Sequence, residues 1–513
     1  MTQRIPSLAI LLLLYTLWQR PYFLYSDPPL WPLALGGLSL VFLAARIPVW
    51  GWAWWGAGAL TLLWSLAPGN TLAASLWEAL YLAALGAGQW ALGVWGLNLV
   101  LLLDNLYTSL ALQWYGLTQY FSGSHHYVAG AQALVLIPPL AAAFYRPSRW
   151  ALPAGVLLVL ALYAALISGA RAVYLPLLLM LPLMAWRLLR KGVRPAQLAL
   201  GGATVAAMLV VLDVANPTHP AWSALSRKAS LEAQASAVTD GGSFDARLKM
   251  WAQSLRILRD YPLGSGNGSY PFVFEAYQED PRAFSRSAHN YFIETLATGG
   301  ALRLVLLLAL LLPALWRGWR GPDWPWAVGA AGLWLSTAFD VTGYYPSFMM
   351  LAFLLIGRLS PTPAPAPRWA RAGGLMALAA LALWWYVPCS APDCAITRYR
   401  AFQPKLAAAL ESLPAEAQRQ LLEEARRLYP KDAWVVRSML ERARTPEERL
   451  QLARTLVREF PGANVSYYLA WANAARAAGR ALEAEEAIQT ARERFPWWNP
   501  DRSPRDEDLL SYP

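Results

Sequence analysis

Charge is scarce in this chain. Only 15% of its 513 residues are Asp, Glu, Lys or Arg, against roughly 25% in a typical soluble domain. With so much apolar sequence as well, this excludes a disordered protein and a single soluble domain. Cysteine is nearly absent, and two residues exclude a disulfide-built scaffold and an all-cysteine zinc site. Catalytic signatures are missing too. There is no His-Glu-x-x-His and no Gly-x-Ser-x-Gly elbow, and Gly264-Ser-Gly-Asn-Gly-Ser269 has no lysine after it, so it is not a phosphate-cradling P-loop. Only four histidines occur, His125, His126, His219 and His289.

What fills the chain is apolar: 57% of residues, with 27 tryptophans. Runs that approach a bilayer span cover 5–19, 30–45, 50–66, 71–87, 89–110, 127–145, 150–167, 172–187, 197–214, 299–316, 324–340, 345–357 and 369–387. The sequence therefore predicts an all-α polytopic membrane protein with about 12–13 transmembrane helices over residues 1–387. The pair within 71–110 is separated by the weakest turn. No small-residue cleavage site follows the first run, so it is expected to stay as a span.

The net charge is +11, yet residues 401–513 carry 17 basic and 17 acidic side chains, so the whole excess lies in the apolar part. Such a distribution points to membrane topology and away from nucleic acid. The basic segments Arg146–Arg149, Arg187–Arg194, Arg317–Arg320 and Arg358–Arg371 each follow an even number of spans. The positive-inside rule then predicts a cytoplasmic N-terminus in an inner (plasma) membrane and an extracytoplasmic C-terminal region. The outer-side segments are 19–29, 67–70, 105–126, 168–171, 216–298 and 340–345. All four histidines fall in them. The segment 216–298, within a predicted outer loop of 215–298, is about eighty residues long, a length that usually carries function.

Residues 388–513 differ in composition. They open with Cys389-Ser-Ala-Pro-Asp-Cys394, which on an oxidising face either closes a small disulfide loop or stays as two thiols. Three helical segments then end at Pro430, Pro461 and Pro496 (LLEEARRLYP, LARTLVREFP, IQTARERFP), near the roughly 34-residue period of tetratricopeptide repeats. The expectation is a soluble, extracytoplasmic helical-repeat domain with a protein partner at the repeats, or else a plain helical bundle capping the membrane part.

Candidate chemistry gathers in the outer segments. SFDARLKMWAQSLRILRD (243–260) reads as an amphipathic helix capped by Ser243, with Phe244, Leu248, Trp251, Leu255 and Leu258 on its apolar side. Arg247 lies one turn before Trp251 on that side, so it either finds a partner or snorkels to headgroups. A turn, Asp260-Tyr-Pro-Leu-Gly-Ser-Gly266, ends the helix. Ser287-Ala-His-Asn-Tyr-Phe-Ile-Glu294 puts His289 at the membrane boundary, either as a functional base or as a surface histidine. Ser168-Gly-Ala-Arg171 puts a guanidinium between two apolar runs, suited to phosphate oxygens or to interfacial anchoring.

Together these motifs resemble the O-antigen ligase and O-antigen polymerase superfamily of lipid-linked glycan transferases. The elements that carry the resemblance are Ser168–Arg171, Arg247-x-x-x-Trp251, Pro262-Leu-Gly-Ser-Gly266 and His289-Asn290, in family order. It is strongest over residues 105–310 and does not reach the C-terminal repeats. Two departures stand out. The first cluster reads Ser-Gly-Ala-Arg where many members read Ser-Arg-Gly-Ala, so Arg171 is shifted. The earlier outer loop carries His125 and His126 where many members carry Asn-Pro-Asn.

The resemblance implies a GT-C-like glycosyltransferase fold. It also implies transfer of a glycan from undecaprenyl pyrophosphate to an acceptor hydroxyl, with no cofactor and no metal. His289 is then the general base. Arg171 and Arg247 bind diphosphate, and Trp251, Gly264, Gly266 and Asn290 line the substrate. His125, His126, Glu294 and Asp340 are accessory candidates. The acceptor is a lipid, a growing glycan or a protein, which separates ligase, polymerase and protein oligosaccharyltransferase. A lipid-linked sugar transporter and a non-catalytic membrane scaffold are the alternatives of another class. The transporter predicts charges deep within spans.

Overall fold

The structure is a computed structural model that describes residues 4–19, 30–114, 126–216, 218–229, 244–279, 286–360, 366–386, 410–496 and 498. His125, Cys389 and Cys394 lie outside the described residues, as does the side chain of His126. The described chain is all-α.

Each of the thirteen apolar runs forms a helix: α1 (Arg4–Gln19), α2 (Leu30–Leu43), α3 (Val49–Leu60), α4 (Pro68–Ala87), α5 (Ala91–Trp114), α6 (His126–Phe144), α7 (Ala151–Ile167), α8 (Arg171–Arg190), α9 (Pro195–Ala215), α12 (Tyr291–Arg320), α13 (Trp324–Ser336), α14 (Pro346–Leu359) and α15 (Arg368–Tyr386). Between α9 and α12 lie α10 (Pro220–Ala229) and α11 (Phe244–Asp260). By length and composition, α8, α9 and α12 are long and apolar enough to cross a membrane, and several others are shorter apolar helices.

The bundle is organised around α4. Every residue from Gly69 to Ala87 is buried, and α1, α2, α3, α14 and α15 all pack on it. Its crossing with α14 is close because Gly88, which ends α4, and Gly357 of α14 are both glycines. A Cβ on Gly88 would lie 2.0 Å from the Leu354 carbonyl oxygen, and one on Gly357 would lie 1.9 Å from that of Leu85. Backbone-to-backbone approach of this kind is how apolar helices gain packing energy where no hydrophobic gradient exists between them.

Two features were not legible as periodicity. α12 begins at Tyr291, earlier than the apolar run at 299, and its backbone breaks at Gly300, where φ is 75°. The break frees the carbonyls of Ala297 and Thr298. They accept hydrogen bonds from the amides of Ser265 (3.1 Å) and Gly266 (2.9 Å), so backbone groups that a helix would have paired are satisfied by the glycine-rich turn. The second feature is the inward face of α11. Leu248 and Leu255 are exposed, whereas Met250, Gln253, Ser254 and Ile257 are buried. Pattern alone favours the leucines. The fold turns Ser254 inward because its hydroxyl bonds the Met250 carbonyl (2.6 Å) and shares a 2.9 Å hydrogen bond with the buried Tyr270 hydroxyl.

Beyond residue 410 come α16 (Ala415–Leu428), α17 (Ala433–Glu441), α18 (Pro446–Glu459), α19 (Val465–Ala477) and α20 (Ala481–Arg494), each packed on the next. α16, α18 and α20 end alike. A buried aromatic, Tyr429, Phe460 or Phe495, donates its amide to the carbonyl four residues back at 2.8–2.9 Å, and a proline follows. These helices sit on the long loop. Leu421, Leu422, Ala425 and Tyr429 share an apolar cluster with Met250, Ile257, Tyr270 and Phe274. The Tyr467 hydroxyl donates to Glu275 (2.7 Å), and the Tyr429 hydroxyl accepts from the Gly69 amide in the first turn of α4 (3.2 Å).

Candidate active site

The site lies at the end of the bundle where α11, the 287–291 segment and the turn after α13 meet. Arg247 and Trp251 sit one helical turn apart on α11 and reach that same place. Arg247 Nη1 donates to the Phe339 carbonyl (2.7 Å), and Trp251 Nε1 donates to the Ala288 carbonyl (2.8 Å). The Trp251 ring is 6.4 Å from the Phe339 ring. Arg247 is half-buried, and among the described residues it spends one of its five N–H groups on the chain, so the planar fork retains donors for a ligand.

His289 stands between these two anchors and the next turn. Its φ of 49° is left-handed, a conformation that L-residues adopt rarely. Three contacts hold it there. The His289 amide donates to Ser287 Oγ (2.9 Å), the Ala288 amide donates to Glu294 Oε2 (3.3 Å), and the Tyr291 amide donates to the Thr337 carbonyl (2.9 Å). The buried Nδ1 faces Asp340 Oδ1 at 3.7 Å. Asp340 is 4% exposed and is fixed by the Val341 amide, which donates to Oδ1 at 2.7 Å. The Tyr344 hydroxyl donates to the Arg286 carbonyl, which ties the 341–344 turn to the same segment.

Arg171 occupies the same end on a neighbouring helix. Ser168 is buried and donates to the Ala165 carbonyl (2.6 Å), Gly169 takes a φ of 62°, and Gly130 of α6 leaves the space that Ser168 fills. This tight joint makes Arg171 the first, exposed residue of α8. α8 runs antiparallel to α13: Met180 packs on Gly332, and Arg187 reaches the Trp319 carbonyl before α13 begins. Following α8 back to Arg171 and α13 forward to Asp340 therefore arrives at one end of the bundle. A guanidinium at a helix N-terminus adds its charge to the positive end of the helix dipole, which suits an anion.

The other sequence candidates have structural partners. Gly264 (φ 87°) and Gly266 (φ 115°) are buried, and their amides donate to the Tyr261 carbonyl (2.8 Å) and the Thr298 carbonyl. Their faces lie on Thr298 and Ser65. Both glycines thus pack the turn closely against the break in α12. Asn290 is the N-cap of α12, accepting from the amides of Phe292 and Ile293 (both 3.0 Å). His219 lies against the Asp213 carbonyl (3.0 Å) between α9 and α10. α6 opens at His126.

Sequence reasoning missed one buried polar cluster. Arg303 of α12 pairs with Glu78 of α4, and Asn267 of the glycine-rich turn bonds both. Its signal was a single acid and a single base in two otherwise uncharged spans.

The site belongs to a helical membrane protein whose cationic and imidazole groups gather at one end of the bundle. Residues 156–308 match the family model described as O-antigen ligase. Over those residues the match supports a membrane glycosyltransferase of the O-antigen ligase and polymerase type. Arg171, Arg247, Trp251 and His289 fall inside the match, whereas Asp340, Glu78 and the C-terminal helices fall outside it. No curated protein matches the chain.

Proposed function

We propose that this protein transfers a glycan from undecaprenyl pyrophosphate to an acceptor hydroxyl on the outer face of the inner membrane, in the manner of an O-antigen ligase. The observation that carries the reading is the meeting of Arg247, Trp251, His289 and Asp340 at one end of the bundle, with Arg171 at that end. A lipid diphosphate keeps its tail in the bilayer and its charge at the interface, where fixed cations recognise it.

In the reaction, the acceptor oxygen attacks the anomeric carbon as the bond from that carbon to the diphosphate oxygen breaks. Both electrons of the broken bond leave with the diphosphate, whose growing charge Arg247 and Arg171 neutralise. His289 takes the acceptor proton. With Nδ1 turned to Asp340, Nε2 is the nitrogen that accepts it, and Asp340 stabilises the imidazolium that forms. No carboxylate is assigned as a covalent nucleophile, so the step is a single displacement with inversion. Glu294 positions His289 through the Ala288 amide.

The C-terminal helices, docked beside the site through Tyr429 and Tyr467, are positioned to hold the acceptor. Supplying purified donor with a lipid, a glycan or a protein acceptor in separate reactions tests the reading. Product with a lipid core supports the ligase, product with a glycan or a protein moves the assignment to polymerase or protein oligosaccharyltransferase, and carrier movement across liposomes without product supports a transporter.

A further inference from the structure

The end of the bundle remote from His289 carries an arrangement that the transfer reaction does not use. α8 is 20 residues long, about 30 Å, and ends in Arg187 and Arg190. There it meets the end of α12, with Arg317 and Arg320. The Trp186 and Trp319 rings stack across the two helices, with centroids 5.7 Å apart and planes 10° from parallel. Arg187 lies over Trp319 at 4.9 Å, Arg190 over Trp186 at 5.4 Å, and Arg320 over Trp316 at 4.2 Å.

A guanidinium stacked on an indole has one face covered and its edge donors free. Arg187 Nη2 binds the Trp319 carbonyl (2.9 Å), while its Nε is buried without a partner. Arg190, Arg317 and Arg320 are exposed. Among the described residues, none of the four has a carboxylate partner. The nearby Asp323 is taken by Arg358 at 2.6 Å. Four cations, three of them held over rings, lie at the end of two helices long enough to span the bilayer, where phospholipid headgroups lie.

We infer that Arg187, Arg190, Arg317 and Arg320, framed by Trp186 and Trp319, form a binding site for the headgroup of an anionic phospholipid. The phosphodiester oxygens take the guanidinium edge donors, and the exposed Trp186 and Trp316 side chains meet the glycerol and upper acyl region. The occupant is a lipid rather than a free phosphate because the cluster opens beside exposed apolar side chains of the same helices, Leu183, Leu189 and Leu312.

The test uses the purified full-length protein in detergent, offered phosphatidylglycerol, diphosphatidylglycerol or phosphatidylcholine with the same acyl chains. Bound lipid is read by native mass spectrometry and by melting temperature. The two anionic lipids should bind and raise the melting temperature, whereas phosphatidylcholine should do neither. R190Q/R320Q should keep its melting temperature in detergent alone and bind anionic lipid about fivefold more weakly per arginine removed. Raised salt should weaken binding to the wild type, a readout independent of any variant's folding. Equal binding of phosphatidylcholine, undiminished anionic binding by R190Q/R320Q, or insensitivity to salt would each overturn the inference.

Discussion

Arg303 and Glu78 form an ion pair in which both side chains are almost wholly buried, 2% and 1% exposed. The pair joins α12 to α4. Trp54 of α3 faces the Arg303 guanidinium at 5.0 Å, and Gly58 of α3 leaves the space it occupies. Asn267 donates to Glu78 (2.8 Å) and accepts from Arg303, so the glycine-rich turn is fastened to the bundle through the same two charges. Charge deep in a span is what a transporter would need, but here each charge is spent on the other.

Removing one partner strands the second. Arg303→Met or Glu78→Leu alone should each cost about 3–5 kcal/mol, and the double replacement should recover most of that loss. Thermal unfolding of the three variants in detergent checks this. A double variant as unstable as the sum of the singles would mean that the charges do not act as a pair.

Gly264 and Gly192 offer a matched comparison. Both have positive φ, 87° and 92°, so alanine at either carries roughly 1–2 kcal/mol of backbone strain. A Cβ on Gly192 meets nothing within 4 Å, whereas on Gly264 it would lie 2.4 Å from the Thr298 carbonyl oxygen. Gly264→Ala should therefore lower the melting temperature clearly more than Gly192→Ala. Equal losses would show that the turn does not pack against the break in α12 as described.

The C-terminal helices should respond to acid through Glu483. Arg454 bonds both its oxygens at 2.6 Å, and Trp471 Nε1 adds a third bond at 2.7 Å. The arginine holds the Glu483 carboxyl down at about 2, below its ordinary 4.5. A depressed folded-state value means that the contribution is complete above the ordinary value and is lost as pH falls from there toward about 2. Glu483→Gln should flatten the pH dependence of melting in that window. An unchanged acid profile would show that the pair contributes nothing to it.

Much of this was legible in the sequence, for reasons that differ by element. The thirteen apolar runs became helices because bilayer-length apolar segments have no other way to pair their backbone. Arg247 and Trp251 reach one turn because a spacing of four puts them on one face of α11. What pattern did not carry was the consequence of tertiary bonds. Ser254 and Gln253 point inward and Leu248 and Leu255 outward because Tyr270 waits on the inner side. Gly264 and Gly266, expected along the substrate, pack against the break in α12, a contact that no local pattern encodes. The Glu78–Arg303 pair joins residues whose separation in the chain no local window spans.

His289 and Arg247 are proposed to act on a lipid diphosphate donor. The most direct measurement is glycan transfer from purified undecaprenyl-pyrophosphate donor by wild type, His289→Ala and Arg247→Ala, with folding verified by melting temperature. His289→Ala should lose about 10²–10⁴-fold and Arg247→Ala about 10²–10³-fold, in proteins that melt like the wild type. Equal product from all three would contradict it.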